Sequence, residues 1–265
     1  MPYSKAHYYL IGLLVITFVA FWDSYFGKLI DAPAAHHFHG ITATLWILLL
    51  AFQNWSIHNR KHHLHKTMGK LIFVLVPVMV GAFTLVTWVG AQKSVGGHPF
   101  YMQFGQALLT ADAFLTFSTP LQIYLALKWR NRVGLHSALM FGTLIGLLAP
   151  ILSRFFPLFI PSMEITTLDT LYRFGYSMNL SILVSLIIPL LLYIFYRKDG
   201  WPWLLATFIA AMVYILYATI GQTDIWAAVV AAMAAISPMV MFAGGLYTGA
   251  SGLRIGLASW EKVVQ

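Results

Sequence analysis

The chain has 265 residues, of which 60% are hydrophobic and 9% are charged, and its mean hydropathy is +0.77. A soluble domain carries about 25% charged residues, so this composition excludes a water-soluble fold and predicts an integral membrane protein. The net charge of +8 comes from basic clusters between apolar runs, which argues against nucleic-acid binding, and the absence of cysteine excludes disulfides and thiol chemistry.

Eight apolar segments follow one another along the chain, each long enough to cross a hydrocarbon core about 30 Å thick as a helix. No stretch between them is long enough for a soluble domain. We therefore predict a single all-α domain over residues 1–265, a polytopic bundle of about eight transmembrane helices, of which the first seven are the best supported. The glycine-rich tail after Phe242 is compatible with a crossing, a re-entrant or a surface segment. The segments are 7–26, 38–57, 68–90, 103–127, 136–156, 171–196, 203–222 and 225–242.

The distribution of basic residues predicts how the chain is oriented. The apolar run after Lys5 has no small-residue cleavage site, so it predicts a signal anchor that stays as the first helix. With the amino terminus in the cytoplasm, most basic residues fall on that side, as the positive-inside rule requires. We predict a bacterial inner-membrane protein, with the lipid bilayer as its partner and anionic lipids bound at the basic cytoplasmic loops. Twelve of the sixteen basic residues lie on that side: Lys5, Arg60, Lys61, Lys66, Lys70, Lys128, Arg130, Arg132, Arg197, Lys198, Arg254 and Lys262.

Histidines gather where the second segment begins. His37 and His39 stand there beside Gly40, and Asp23 and His98 belong to loops on the same outer side. Imidazole and carboxylate groups together suit zinc, copper or iron. The pattern predicts an outer metal site formed by His37, His39, His98 and Asp23. The alternative is that these histidines simply occupy the headgroup zone of the bilayer.

Two further histidines begin helices on the cytoplasmic side. His65 and His136 each follow a leucine after a basic turn. Two histidines at similar depth on separate helices are what bis-histidine ligation of haem b requires. The pair therefore predicts a haem site, the alternative being that both residues cap helices and meet lipid phosphate.

Asp112 is an acidic residue deep inside the fourth segment. An ionisable group at that depth costs several kcal/mol unless it is paired, hydrated or protonated, so a functional role is the default interpretation. Thr116 shares its helical face, Gln53 lies deep in the second segment, and Arg154 and Arg173 are candidate partners at the outer side. These residues predict a proton or transport pathway. A structural ion pair or a neutral, hydrogen-bonded Asp112 is the alternative.

Four stretches resemble a known group of sequences: FWDSYFGKL, HHFHGITATLWILLLAFQ, LHKTMGKLIFVLVP and LHSALMFGTLIGLLAPILSRFF. They are similar to a widespread family of uncharacterised bacterial multi-pass membrane proteins, over about the first 160 residues. An H-x-H-G motif and two L-H turns, the first of them in the pattern L-H-x-x-[LM]-G, carry the resemblance, which maps onto His37, His39, Gly40, His65 and His136. More distantly, the pattern resembles haem-binding transmembrane b-type cytochromes, which place histidines near helix ends on both membrane sides.

Three functions stay open at this point. The leading hypothesis is a histidine-ligated protein that binds haem b or a transition metal and has a redox role in electron transfer. The second is a proton-coupled transporter or permease that uses Asp112. The third is a structural or assembly subunit whose glycine-spaced helices dock a membrane partner or a second copy of the chain.

Overall fold

The chain is almost entirely helical. We describe it from a computed structural model that covers residues 2–264, with side chains for residues 2–255. The side chain of Lys262, counted above among the basic residues, lies outside that range. Within residues 2–264 there are eleven α-helices and no β-strand. The all-α prediction is therefore confirmed for this part of the chain.

The eleven helices are numbered in chain order. A π-helical turn, Tyr101–Gly105, leads directly into the fifth helix. The short third helix was not predicted as a separate element, because its polar histidine-rich sequence resembles a loop. The helices are α1 (Ala6–Ala20), α2 (Ala34–His58), α3 (His62–Gly69), α4 (Ile72–Val95), α5 (Gln106–Lys128), α6 (Val133–Gly142), α7 (Ile145–Phe155), α8 (Arg173–Phe195), α9 (Trp201–Ala218), α10 (Asp224–Ala235) and α11 (Pro238–Val264).

Five segments have the length and hydropathy of a membrane span, which is fewer than predicted. Helices α10 and α11 meet at an angle of 106°, and the pair adds a sixth span if it forms one broken span. Helix α1 is apolar but has only 15 residues, and polar side chains lower the hydropathy of α5. About eight spans are thus not confirmed. The five segments that are long and apolar enough are Ala34–His58, Ile72–Val95, Val133–Leu158, Leu168–Phe195 and Trp201–Gln222.

The break between α10 and α11 is stabilised by side chains of α4. Gln92 Nε2 donates to the carbonyl of Ala234 (2.5 Å), and Trp88 Nε1 donates to the carbonyl of Ile236 (2.8 Å). A helix break frees backbone carbonyls that have no water partner in hydrocarbon, so donors from a neighbouring helix stabilise it. The predicted segment 225–242 crosses this break and is not one continuous helix.

The glycine-rich tail forms part of α11, which packs on α4 and α5. A Cβ atom on Gly245 would lie only 2.5 Å from Thr84 Oγ1, and one on Gly249 would lie 2.8 Å from the Cα of Pro77. Glycines let two helix backbones approach this closely. Because Gly245 and Gly249 contact α4 of the same chain, these two are not available for docking a partner helix.

The helices run between two ends of the bundle, which we name from the predicted orientation. The outer end holds the first turn of α2 and the last turns of α4 and α7, and the inner end holds α3 and the first turn of α6. Between them, the core is centred on Trp46, which is 1% exposed. Its Nε1 donates to Thr143 Oγ1 (3.0 Å), so this contact joins α2 to the junction of α6 and α7.

Candidate functional site

Three ionisable side chains lie deep in the outer half of the bundle: His39 of α2, Asp112 of α5 and Arg154 of α7. Each is half-buried, so part of its surface stays accessible. We call these three side chains the outer cluster.

Arg154 is held beside Asp112 without forming a direct ion pair with it. The two are close enough for their charges to interact, as are Arg154 and His39. Among the described side chains, no nitrogen of Arg154 lies within 4.0 Å of an Asp112 carboxylate oxygen. Instead, Arg154 Nη1 donates to the carbonyl of Pro150 (2.8 Å), and the guanidinium lies 4.7 Å from the ring centre of Phe21. These contacts fix the guanidinium.

The outer cluster has three further polar neighbours: His36, Lys93 and Tyr101. His36 interacts electrostatically with Lys93 and Arg154, and Lys93 Nζ lies 5.3 Å from the ring centre of Tyr101. Burial raises the pKa of Tyr101, Arg154 lowers it, and Asp112 raises it again. The Tyr101 phenol therefore stays protonated at neutral pH. With two cations, Lys93 and Arg154, and one carboxyl group, these side chains together carry excess positive charge.

Two histidines in this region have free hydrogen-bonding capacity. The Nδ1 atoms of His36 and His39 are buried, and neither has a hydrogen-bond partner among the described residues. The ring of His39 packs against Phe83, with 5.6 Å between ring centres. Because an unpaired buried polar atom costs about 1–3 kcal/mol, such atoms normally bind water or a ligand.

The four predicted metal ligands are not gathered into one cluster. His37 Nδ1 makes a 2.8 Å hydrogen bond with the hydroxyl of Tyr25, and Asp23 and His98 are exposed. Only His39 belongs to the outer cluster. In the part of the chain that the structure describes, no group of three or more His, Cys, Asp or Glu residues could hold a metal ion. The geometry therefore gives the predicted metal site no support.

Of the two arginines predicted near Asp112, the structure places only Arg154 there. Arg173 donates to the carbonyl of Glu164 (3.0 Å) in an exposed loop at the outer end. Thr116, predicted on the same face as Asp112, donates its hydroxyl to the Asp112 backbone carbonyl (2.9 Å). Thr116 therefore satisfies its own hydroxyl and does not hold the carboxylate.

The predicted histidine pair is brought together at the inner end. His136 Nδ1 lies 2.8 Å from the carbonyl of Ala126, which can only accept, so Nδ1 carries the proton and Nε2 keeps its lone pair. The charge of His65 interacts with that of His136. Burial lowers the pKa of His65, a hydrogen bond with the Gln53 backbone raises it, and His62 lowers it again.

Unpaired polar atoms also lie between the two ends. They include Ser118 Oγ and Gln122 Oε1 of α5 and both side-chain amide atoms of Gln53. Gln122 lies about 15 Å deeper than Asp112 along α5. Buried water usually satisfies such atoms. Sequence reasoning missed Ser118 and Gln122, although their polarity within a buried apolar helix could have indicated them.

Comparisons with protein-family models, curated proteins and solved structures found no match to this chain. The resemblance to the bacterial multi-pass family stays a prediction, and function is inferred from the chemistry of the two polar clusters.

Proposed function

We propose that the chain is a multi-pass protein of the bacterial inner membrane, with a cytoplasmic amino terminus and about eight crossing segments, that couples proton movement to solute transport. Asp112 takes up and releases the proton, and Arg154 is the charge that responds. The observation that most supports this proposal is that Asp112 and Arg154 interact electrostatically without forming a direct ion pair.

A direct ion pair would have explained Asp112 and Arg154 as purely structural. Ionisable groups at membrane depth cost several kcal/mol and are usually neutralised by close pairing. Here the separation leaves both groups open to water, a proton or a solute. When Asp112 is protonated, Arg154 loses its compensating charge and binds an anion more strongly. When Asp112 releases the proton, its carboxylate competes for Arg154 and weakens that binding. This reciprocal effect is a coupling between the two sites.

Polar atoms along the bundle support a proton route from the outer cluster to the inner end. Ser118 and Gln122 lie below Asp112 on α5, and their unpaired oxygens are buried. His136 and His65 stand at the inner end of the same helix bundle. Water bound to these atoms would connect Asp112 to the cytoplasmic side. We propose that protons follow this route.

The proposal is tested by proton uptake into proteoliposomes loaded with a pH-sensitive dye. An inward pH gradient is applied alone or with a mixture of organic acids, amino acids or sugars. We expect at least one mixture to accelerate acidification for the wild-type protein, and D112N to reduce that rate at least about tenfold, because the amide cannot carry the proton. D23N, at an exposed aspartate of the outer end, is the matched control and should behave as wild type. Equal rates for D112N and wild type would contradict the proposal.

A second function, haem b binding with a role in electron transfer, is favoured by the inner histidine pair. The hydrogen bond from His136 Nδ1 to Ala126 fixes the ring with Nε2 free, as is usual for histidine ligands. His136 and His65 would hold the haem iron, and the haem would supply one-electron redox chemistry.

The haem proposal is tested by the visible spectrum of detergent-purified protein from cells supplied with a haem precursor. We expect a Soret band that is lost in H65A and in H136A. H63A, at an exposed histidine of α3, should keep the band. A colourless wild-type preparation would exclude this function and leave the transport proposal untouched.

A further inference from the structure

We infer that the inner end of the bundle binds a single anionic phospholipid, whose headgroup lies in a groove beside the loop between α8 and α9. The groove has a volume of about 490 Å³, which is within the usual range for small-molecule sites. This lipid site is independent of the proposed transport function. Its walls come from residues 2–3, the first turn of α6 and the loop after α8, and they include Tyr3, Gly134, Tyr196, Arg197, Lys198 and Asp199.

The groove lies at the level of the lipid headgroups. The segments on either side of its loop, Leu168–Phe195 and Trp201–Gln222, are both long and apolar enough to cross a membrane. The loop is therefore where two spans leave the hydrocarbon core. Phe195 and Trp201 flank the loop and are 77% and 38% exposed, and aromatic side chains are enriched at this level of a bilayer. A groove in this position opens onto phospholipid headgroups.

The amino-terminal wall of the groove is held in place by hydrogen bonds. Trp203 Nε1 donates to the Tyr3 hydroxyl (2.9 Å), and Asn54 Nδ2 donates to the Tyr3 carbonyl (3.0 Å). The ring centre of Tyr3 lies 4.6 Å from that of Tyr196, so the amino-terminal residues pack directly against the end of α8. A groove whose walls are already fixed loses less conformational entropy when it binds a ligand.

The charge of the groove favours a headgroup with one negative charge. Arg197 and Lys198 are exposed, and neither forms an ion pair or a side-chain hydrogen bond with the residues that the structure describes. A Cβ atom on Gly134 would lie 2.8 Å from Asp199 Oδ2, so this carboxylate lies against the first turn of α6. The positive end of the helix dipole stabilises it there. The two cations are left to bind a ligand, and the three charged groups together carry a net positive charge.

A phosphodiester headgroup with free hydroxyl groups matches these side chains. The planar N–H donors of the Arg197 guanidinium can pair with two phosphate oxygens, and the Lys198 ammonium adds a point charge. Headgroup hydroxyls can donate to the Asp199 carboxylate, which only accepts. Phosphatidylglycerol has this combination of one negative charge and free hydroxyl groups. Phosphatidylcholine has neither, because its choline cation cancels the phosphate charge and it has no headgroup hydroxyl.

The experiment counts lipids bound to the detergent-purified full chain by native mass spectrometry. The probes are dioleoyl phosphatidylglycerol, dioleoyl phosphatidylcholine and, as a soluble phosphate ester, glycerol 3-phosphate. We expect a single phosphatidylglycerol to bind at concentrations where phosphatidylcholine does not, and glycerol 3-phosphate not to displace it. The double variant R197Q/K198Q should weaken phosphatidylglycerol binding at least about tenfold, because basic residues at the membrane surface attract anionic lipids.

The matched control is the double variant R60Q/K61Q. Arg60 and Lys61 are also an adjacent, exposed arginine and lysine of the inner end, but they lie between α2 and α3 and do not line the groove. The control therefore removes the same charge and leaves the groove intact. It should bind phosphatidylglycerol as the wild type does.

Three results would overturn the inference. Equal weakening by the two double variants would show a diffuse attraction to all basic loops. Displacement of the lipid by glycerol 3-phosphate would show a site for soluble phosphate esters. Equal binding of the two phospholipids would show that the headgroup is not recognised. If R197Q/K198Q does not fold, the single variants R197Q and K198Q and the wild-type lipid series decide the question.

Discussion

At the scale of single residues, burial alone changes the chemistry of several groups in this protein. His65 is the clearest case outside the membrane-spanning helices, because it lies half-buried on α3 beside His62 and the backbone of Gln53. Removing an imidazole from water disfavours its charged form. The pKa of His65 is therefore lower in the folded chain than in the unfolded chain.

This shift predicts a loss of stability in mild acid. A free histidine has a pKa of about 6.5, so below that pH the unfolded chain binds a proton that folded His65 does not. The stabilising contribution is complete above about pH 6.5 and is lost as the pH falls through the folded pKa. We expect the melting temperature of the wild type to fall between about pH 7 and pH 5, and H65Q to fall less steeply.

The control is H63Q, which removes an exposed histidine from the same helix. Its melting temperature should follow the wild-type pH dependence. Melting curves in detergent across this pH range measure both slopes. Parallel slopes for H65Q and wild type would show that burial of His65 has no thermodynamic consequence.

Sequence reasoning identified Asp112 and the histidines as candidate site residues and missed most of the contacts that these side chains make. Asp112 could be predicted, because a charge in an apolar run is conspicuous whatever surrounds it. The role of His37 could not, because it depends on Tyr25 folding back against α2. The same tyrosine lies near Gly40, where a Cβ would be 3.4 Å from the Tyr25 hydroxyl, an ordinary van der Waals distance. This contact therefore does not by itself require glycine in the H-x-H-G motif.

At the scale of elements, α5 shows how the position of a helix in the bundle relates to its composition. It is too polar to pass as a membrane span, and it packs against α4, α6, α9 and α11. A helix in the middle of a bundle faces protein more than lipid, so it tolerates polar residues that a peripheral helix would not. Periodicity located this helix, and only its neighbours explain its composition.

The eighth predicted segment contains a break that its hydropathy does not show. Residues 225–242 are apolar apart from Ser237 and Pro238, and α10 and α11 meet within them at an angle of 106°. The donors that make the break tolerable, Gln92 and Trp88, come from α4 and are about 140 residues away in sequence. Tertiary partners of this kind are invisible to a local pattern.

The contact between α11 and α4 predicts sharply different effects for two adjacent glycines. A Cβ on Gly245 would meet Thr84 Oγ1 at 2.5 Å and the Cα of Gly81 at 2.7 Å, whereas one on Gly244 would meet nothing within 4 Å. We expect G245A to destabilise the fold by about 1–3 kcal/mol through overpacking. G244A should be neutral or stabilising by up to about 1 kcal/mol, because alanine favours helix.

Thermal unfolding of both variants in the same detergent measures this difference, since the two substitutions add the same methyl group one residue apart. A similar melting temperature for G245A and G244A would mean that α11 does not pack closely on α4. In that case the glycine-rich tail would again be available for a partner.

At the scale of the whole molecule, the two polar clusters divide the chain into functionally different ends. The outer cluster and Lys93 together carry excess positive charge, and the inner end holds the His65–His136 pair among basic loops. The direction of any proton movement depends on which end faces the cytoplasm. Orientation is therefore the property that connects the fold to the proposed function.

The positive-inside rule predicts that α3 and the loop after α8 face the cytoplasm. Because the chain contains no cysteine, single cysteine variants can be labelled without background. We expect K28C and S162C, at exposed positions of the outer end, to react with a membrane-impermeant maleimide in intact spheroplasts. K66C and K198C, at exposed positions of the inner end, should react only after permeabilisation. The reverse pattern would place the outer cluster on the cytoplasmic side, so that a solute bound there would be exported and not taken up.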